Sequence, residues 1–393
     1  MDRPLHGVRV LEVAQFTFVP SAGAVLADWG ADVIKVETPD GGDGQCGLMP
    51  ALASNRGKRS IGLGLGVAEA RPVMEELIRR SDVFLTNHPA ATCAKLRIDL
   101  DDVRRINPDI IYVTGSGYGT AGRDRDCGAD DATAFWARGG STDGLTPPAA
   151  EHAATTPTSG YGDNIGSLAI AGGVAAALYG RRTTGKPSVL DISLLAVGAW
   201  VNQFGVNSAL AAGGPLPKLD SRTRSLGNPL SGSYRTADGR FIALSMLQPT
   251  RHWPEFCRLM GRDDCAFDPR FTSPDTLAEH IDEAVGIVAT AIGARSFAEC
   301  CRLLELGTGP WAPVQDGWEV GNDEALIANG RIADVVDARG GAQRLVANPV
   351  KFDDGRLQVR RAPIVAEHTE DVLREIGFDE DTLTELKFAG AIS

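Results

Sequence analysis

The sequence predicts an α/β fold, with a large domain on a parallel, doubly wound sheet followed by a smaller α/β domain. Three observations carry this. Short apolar strand-like runs alternate with helical apolar periodicity through the first half of the chain. The 393 residues, 43% hydrophobic and 23% charged, are enough for two soluble globular domains with substantial cores. After Gly227 the pattern changes to short strands, with a turn at Ala237-Asp238-Gly239, and then to helices.

Taken in order, residues 8–13 read as a buried strand, 21–29 as a helix closed by Gly30, and 32–36 as a second strand. Strands at 59–63, 82–86 and 109–114 alternate with helices at 67–80 and 99–106. Ligands of such a sheet gather at the carboxyl ends of its strands, here residues 14–20, 37–43, 87–89 and 115–122. Residues 141–159 form the most linker-like interval, and a Pro, Ser and Gly-rich approach ends at Asp163. The helix predicted over 165–179 is poor in bulk, with Gly166, Gly172 and Gly173, so another backbone can pack close. Residues 188–194 read as a strand, 252–306 as helices, 332–359 as a strand-rich return, and 370–376 and 380–387 as helices.

The net charge of −12 argues against a nucleic-acid or anionic-membrane partner, so an anionic ligand must be met by local basic groups. Seven cysteines, odd in number and without metal-ligand spacing, suggest reduced thiols in a cytoplasmic protein. No stretch has the roughly 18 apolar residues of a membrane span, and the N-terminus lacks a signal-peptide core. Six scattered histidines show no metal spacing, and G-x-S-x-G is absent.

Several residues have both a functional and a structural reading. Asp163 is a helix N-cap by local rules; the functional alternative is a carboxylate held ionised at the positive end of a helix, able to attack an acyl carbon without a general base. The cluster GSGYGTAG at 115–122 is a plain turn or a cradle of backbone N–H groups, and it is not a dinucleotide fingerprint. The run Asn55-Arg56-Gly57-Lys58-Arg59 is a solvated surface or a phosphate-binding patch through Arg56. Trp136 lines an acyl pocket or belongs to the core.

The segments VRVLEVAQFTFVPSAGAVLADWGADVIKVETPDGGD, NRGKRSIGLGL, GYGDNIGSLAIAGGVAAALYGRRTTGKPSVLDISL, GNPLSGSYRTADGRFIAL and EHTEDVLREIGFDE, in this order, resemble the family III CoA-transferases over nearly the whole chain. That family includes formyl-CoA, carnitine and 2-hydroxyacyl-CoA transferases and alpha-methylacyl-CoA racemase. The resemblance implies a Rossmann-like large domain over 1–198, a linker over 199–226, a small α/β domain over 227–320, a linker over 321–345 and a C-terminal return over 346–393. It also implies a homodimer of interlocked rings. The implied substrates are coenzyme A, carried as acyl-CoA, and a small or medium carboxylic acid, with no metal.

The implied nucleophile is Asp163. It attacks the donor thioester to give a mixed anhydride and CoA thiolate, the thiolate then gives an aspartyl-CoA thioester, and the acceptor carboxylate repeats the sequence in reverse. Position by position, Thr17 falls where formyl-CoA transferase has a glutamine near the thioester, and Thr38 where it has an arginine. Leu63, Gly64, Asn87, His88 and Pro89 fall on adenine- and phosphate-binding positions, with Lys95 in place of an arginine. Asp130 keeps an acidic position, while Cys127 and Ala129 replace a lysine and a tyrosine. The glycine-rich loop over the formyl-CoA transferase site is absent, and SMLQPTRHW stands there.

A racemase of this family needs a histidine and a small-domain glutamate to move a proton. Ala129 and Gln248 stand at those places, and neither titrates near neutral pH. The alternatives to CoA transfer are a racemase or isomerase on the same fold, a nicotinamide-dependent dehydrogenase suggested by the sheet alone, and a CoA-binding protein without catalysis. FWARGG together with GYGDN looks more like the 2-hydroxyacyl and aryl-acyl transferases than the formyl type.

Overall fold

The computed structural model describes residues 3–39, 41–42, 49–217, 227–353 and 358–393. Asp43 and Cys46, and the stretch 218–226 of the first expected linker, lie outside the described residues. The chain divides into two compact units: 1–146 with 152–216 and 324–393, and 217–323 with 147–151.

In the first unit, β1 (Arg9–Val13), α1 (Phe18–Asp28), β2 (Asp32–Glu37), α2 (Met49–Asn55), β3 (Arg59–Gly62), α3 (Arg71–Arg79) and β4 (Val83–Thr86) lead to α4 (Ala90–Leu96), α5 (Leu100–Ile106) and β5 (Ile111–Ser116). A π-helical segment, Asp131–Arg138, and α6 (Ser141–Leu145) precede the long α7 (Tyr161–Thr184), β6 (Val189–Ser193), α8 (Leu194–Val201) and α9 (Gln203–Ala212). The six strands form one parallel sheet in the order β3-β2-β1-β4-β5-β6. Val10 of β1 pairs with Val33 of β2 on one side and Val83 of β4 on the other. The strand order therefore reverses between β1 and β4, and their carboxyl ends flank the crevice where ligands of such sheets bind.

Strand residues buried on both faces read as near-continuous apolar runs, and the two faces build separate cores. One face holds α1 and α7, with Val19, Leu26, Ile170 and Val174 packed on Val10 and Val113. All of α1 is buried, because it is pressed between the sheet and α7. The small residues noted in the sequence allow this: a Cβ on Gly166 would lie 2.4 Å from the Phe18 ring, and one on Gly115 would lie 2.3 Å from Val19. The other face holds α3 and the C-terminal helices, with Met74, Leu77, Val372, Leu373 and Leu386 in one cluster.

The second unit has a three-stranded antiparallel sheet, β7 (Ser231–Arg235), β8 (Phe241–Ser245) and β9 (Trp311–Pro313), in the order β7-β8-β9. It packs with α10 (Pro249–Leu259), α11 (Pro274–Glu279), α12 (Ile281–Gly293) and α13 (Phe297–Leu304) around Trp253, Phe256 and Phe271. Two short helices follow, α14 (Gly317–Gly321) in this unit and α15 (Glu324–Ala328) in the first. The hairpin β10 (Ile332–Val336) and β11 (Ala342–Val346) and the helices α16 (Thr369–Glu375) and α17 (Glu380–Phe388) complete the first unit.

Candidate active site

The basic run is where the structure departs most from a surface reading. Lys58 is buried and donates to Glu12 Oε1 at 2.7 Å, to the Pro20 carbonyl at 2.8 Å and to Asn55 Oδ1 at 3.1 Å. Lys35 bonds the same Asn55 oxygen at 2.9 Å. Burial lowers the Lys58 amine to about 8, against the pull of Glu12, and burial raises the Glu12 carboxyl. Arg56 is also buried: its Nε and Nη2 reach Asp28 Oδ2 at 3.2 and 2.9 Å, and Nη1 bonds the Ala53 carbonyl. Arg59 bonds Asp32 and Glu375. Arg56, expected at a phosphate, is thus engaged by Asp28 and the Ala53 carbonyl, and the other two cations of the run are also paired with carboxylates.

The crevice at the strand reversal is built by other residues. Asn87, just after β4, accepts from the Gln15 N–H at 2.9 Å and returns a bond from Nδ2 to the Gln15 carbonyl at 2.7 Å. This reciprocal pair ties the loops after β1 and β4 and engages both the oxygen and the nitrogen of the Asn87 amide. The next residue along, Phe16, is exposed and has φ of +65°, an uncommon conformation for a bulky side chain. Thr17 then stands at the N-cap of α1.

Two cavities open along this edge. One of about 290 Å³ is lined by Thr38, Leu63, Gly64 and His88 with Ala14 and Gln15. The other, of about 480 Å³, is lined by Asn87, His88 and Pro89 together with Gly117, Arg125 and Cys127. His88 belongs to both, and burial lowers its imidazole pKa, so it is neutral at pH 7. Six of the residues expected to bind CoA thus converge on one band of the sheet edge. Lys95 lies apart from both cavities, exposed in the last turn of α4. The glycine cluster opens no helix: Gly119 N–H bonds Ser116 Oγ, and Thr120 bonds Asp191, which makes it a turn on the wall of the larger cavity.

Asp163 lies at the start of α7, but it is not the cap. Gly160, with φ of +71°, holds the N-cap position, and Asp163 is inside the first turn. A Cβ on Gly160 would sit 3.1 Å from the Thr17 methyl, which brings the loop after β1 against the loop before α7. The cap is supplied by a residue remote in sequence. Asp131 Oδ1, from the π-helical segment, accepts from the Gly162 N–H at 2.9 Å, and a Cβ on Gly162 would lie 2.4 Å from that oxygen. Asp130 is exposed and instead caps its own segment in a reciprocal box with Thr133, so its carboxylate is engaged locally.

Asp163 itself is half-buried and accepts no hydrogen bond from a described side chain or backbone group. Burial, then repulsion from Asp131, then from Asp130, pushes its carboxyl from 3.8 up to about 7. The carboxyl is thus raised, not lowered, although it stands in the first turn of the helix. Asp131 is buried, and its Oδ2 has no partner among the described residues. Trp136 is buried with its ring centroid 5.4 Å from that of Tyr161, at the first residue of α7. Sequence reasoning missed Asp131 and Gly160 as the parts that shape this turn. The doubled aspartate and the glycine before Tyr161 were the available signals.

A family model described as CoA-transferase family III matches residues 5–369. The chain belongs to CoA-transferase family III. As a family III CoA-transferase it is an enzyme of thioester chemistry, and no group of three His, Cys, Asp or Glu suited to a metal occurs among its described residues. It is 29% identical to a (R)-2-hydroxy-4-methylpentanoate CoA-transferase of Clostridioides difficile, over 98% of both chains. It is 28% identical to a cinnamoyl-CoA:phenyllactate CoA-transferase of Clostridium sporogenes, over 97% of this chain and 95% of that one. A crystal structure of Rv3272 from Mycobacterium tuberculosis superposes with a TM-score of 0.79 at 28% identity, over 93% of this chain and 98% of that one. A CAIB/BAIF family protein from Brucella suis shares the fold, with a TM-score of 0.83 at 24% identity, over 96% of this chain and 100% of that one.

Proposed function

We propose that this CoA-transferase moves CoA from an acyl-CoA to a small or medium carboxylic acid through covalent intermediates on Asp163. The observation that carries this reading is a half-buried carboxylate, free of hydrogen bonds from the described residues, at the start of α7 beside the loop after β1. A carboxylate of raised basicity is a stronger nucleophile once ionised. Its oxygen attacks the thioester carbonyl carbon, the C–S bond breaks, and the electron pair leaves on the CoA sulfur. The thiolate then attacks the aspartyl carbon of the anhydride and expels the donor's carboxylate. The acceptor carboxylate attacks the aspartyl-CoA thioester, and the returning thiolate takes the new acyl group. No step needs a general base.

Thr38, Leu63, Gly64, His88 and Pro89, with the Asn87 backbone, would hold the CoA moiety in the two edge cavities. Thr17 would stand beside the thioester. Two relatives are named for 2-hydroxy-4-methylpentanoate and for cinnamoyl-CoA with phenyllactate, which favours branched or aryl acids over formate and oxalate. Racemisation is not favoured, because Ala129 supplies no proton carrier.

The reading also includes the linkers 199–226 and 321–345 and an interlocked homodimer in the cytoplasm. Trp200, Phe204 and Leu210 of α8 and α9 are 70, 85 and 74% exposed, an apolar surface of the kind a partner chain covers. A folded monomer on dilution in gel filtration would contradict the interlocked form.

The test of mechanism is incubation with acetyl-, isocaproyl- and cinnamoyl-CoA, quenching with hydroxylamine, and peptide mass analysis. A hydroxamate on the peptide carrying Asp163 is expected; turnover without one would remove Asp163 as the nucleophile.

A further inference from the structure

We infer that Asp131 is a positioning residue for the transfer reaction: it caps α7 from outside the helix, and so leaves the Asp163 carboxylate unbonded beside a second buried carboxylate. The inference rests on Asp163 being the nucleophile.

The geometry has three parts. The free N–H groups at a helix start attract the nearest carboxylate, and a carboxylate in the first turn is well placed to take one. Here one of those donors is taken already. Asp131 Oδ1 accepts from Gly162 N–H at 2.9 Å; burial raises the Asp131 carboxyl, and the N–H groups of Gly162, Tyr161 and Asp163 act against that rise. Glycine at 162 makes this approach possible, since a Cβ there would lie 2.4 Å from Oδ1 and 2.3 Å from the Phe135 ring. The second Asp131 oxygen is buried without a partner among the described residues, an arrangement costly for stability alone that leaves a second carboxylate beside the nucleophile.

The environments of the two carboxyls separate their roles. Burial raises the Asp131 carboxyl and its backbone donors act against that rise; Asp163, with none among the described residues, is pushed up to about 7. The charged groups that act on Asp163 are Asp131 and Asp130 from the π-helical segment, and the loop from Gln15 to Thr17 contributes no charge. Once ionised, Asp163 is repelled by Asp131. Acylation relieves that repulsion, because forming the acyl–oxygen bond and breaking the C–S bond moves the negative charge to the CoA sulfur. Asp131 therefore raises the ground state of the nucleophile relative to the acylated enzyme.

The experiment is a carboxyl carbon-13 NMR titration of full-length protein labelled at aspartate, with the Asp163 resonance assigned by its loss in Asp163→Asn. Asp131→Asn keeps an acceptor oxygen for Gly162 N–H and removes the charge. If that variant does not fold, Asp131→Ser serves the same purpose with less bulk. The Asp163 midpoint is expected to fall by about one pH unit, a tenfold change in proton affinity, and the pH profile of single-turnover acylation by cinnamoyl-, isocaproyl- or acetyl-CoA to move with it. An unchanged midpoint in a folded variant would overturn the inference. A wild-type protein in which Asp163 titrates near 7 but never yields a hydroxamate would instead overturn the proposed mechanism, so the two failures are distinguishable.

Discussion

Glu12 with Lys58 and Lys35, and Asp163 with Asp131, are both clusters of charge withdrawn from water, and they are built on opposite rules. In the first, opposite charges meet at 2.7 Å and the amine is bonded by two further acceptors. In the second, two carboxylates share one helix start, and only Asp131 accepts from a backbone N–H there, that of Gly162. The first cluster, paired through Glu12 Oε1 while Oε2 stays buried without a partner among the described residues, locks β1 to α2 and the approach to β3. The pair of like charges stores reactivity, because anything that removes the charge from Asp163 lowers its energy. The contrast separates a structural charge from a chemical one better than residue type does.

The sharpest way to break this comparison is Asp163→Ala. Turnover should fall roughly a thousandfold or more, as for loss of a covalent nucleophile, while the melting temperature stays level or rises. The stability side has a definite sign. Between the ordinary carboxyl range near 3.8 and about 7, the folded protein keeps a proton on Asp163 that the unfolded chain has released. Its contribution to stability therefore falls as pH rises through that window, and Asp163→Asn should flatten this slope in thermal melts at a series of pH values.

Lys58→Met is expected to have the opposite profile. It leaves Glu12 buried beside the more distant Lys35, at 3.9 Å, and should destabilise by about 3–5 kcal/mol, read by urea unfolding. Arg56→Gln sharpens the same boundary at smaller amplitude. Losing the Asp28 fork should cost about 1–3 kcal/mol, with KM for acyl-CoA unchanged, because the guanidinium faces Asp28 and not the crevice. A large rise in KM would return Arg56 to the ligand. The smallest effect is in pH: with Asp163 half ionised near 7, the acylation rate should drop about fivefold between pH 7 and 6, measured by single-turnover release of CoA thiol. A flat profile would remove the raised carboxyl from the rate.

The elements were legible wherever the pattern is periodic and local. The strands of the sheet and the helices at 100–106 and 380–388 fall within a few residues of their expected ends. The helix at 165–179 runs longer, over Tyr161–Thr184, because Gly160 opens it and Gly185 closes it, both at positive φ. Local rules misplaced the cap for the same reason. An aspartate before an apolar run is a good N-cap candidate, but Gly160 already turns the chain, and the carboxylate that serves the helix comes from 31 residues away. Arg56 and Lys58 read as surface for an equally local reason, since nothing adjacent in sequence shows that Asp28 and Glu12 wait inside.

By itself, then, the order of residues determined the doubly wound α/β architecture, the family, and the aspartate on which the chemistry is proposed to turn. These follow from periodicity and from blocks of adjacent residues. Only the tertiary structure decided which charges are spent, that Asn87 ties two loops together, and that Asp131 sits against the first turn of α7. Those outcomes depend on burial and on through-space distance, and a pKa near 7 arises from the two acting together on one carboxyl.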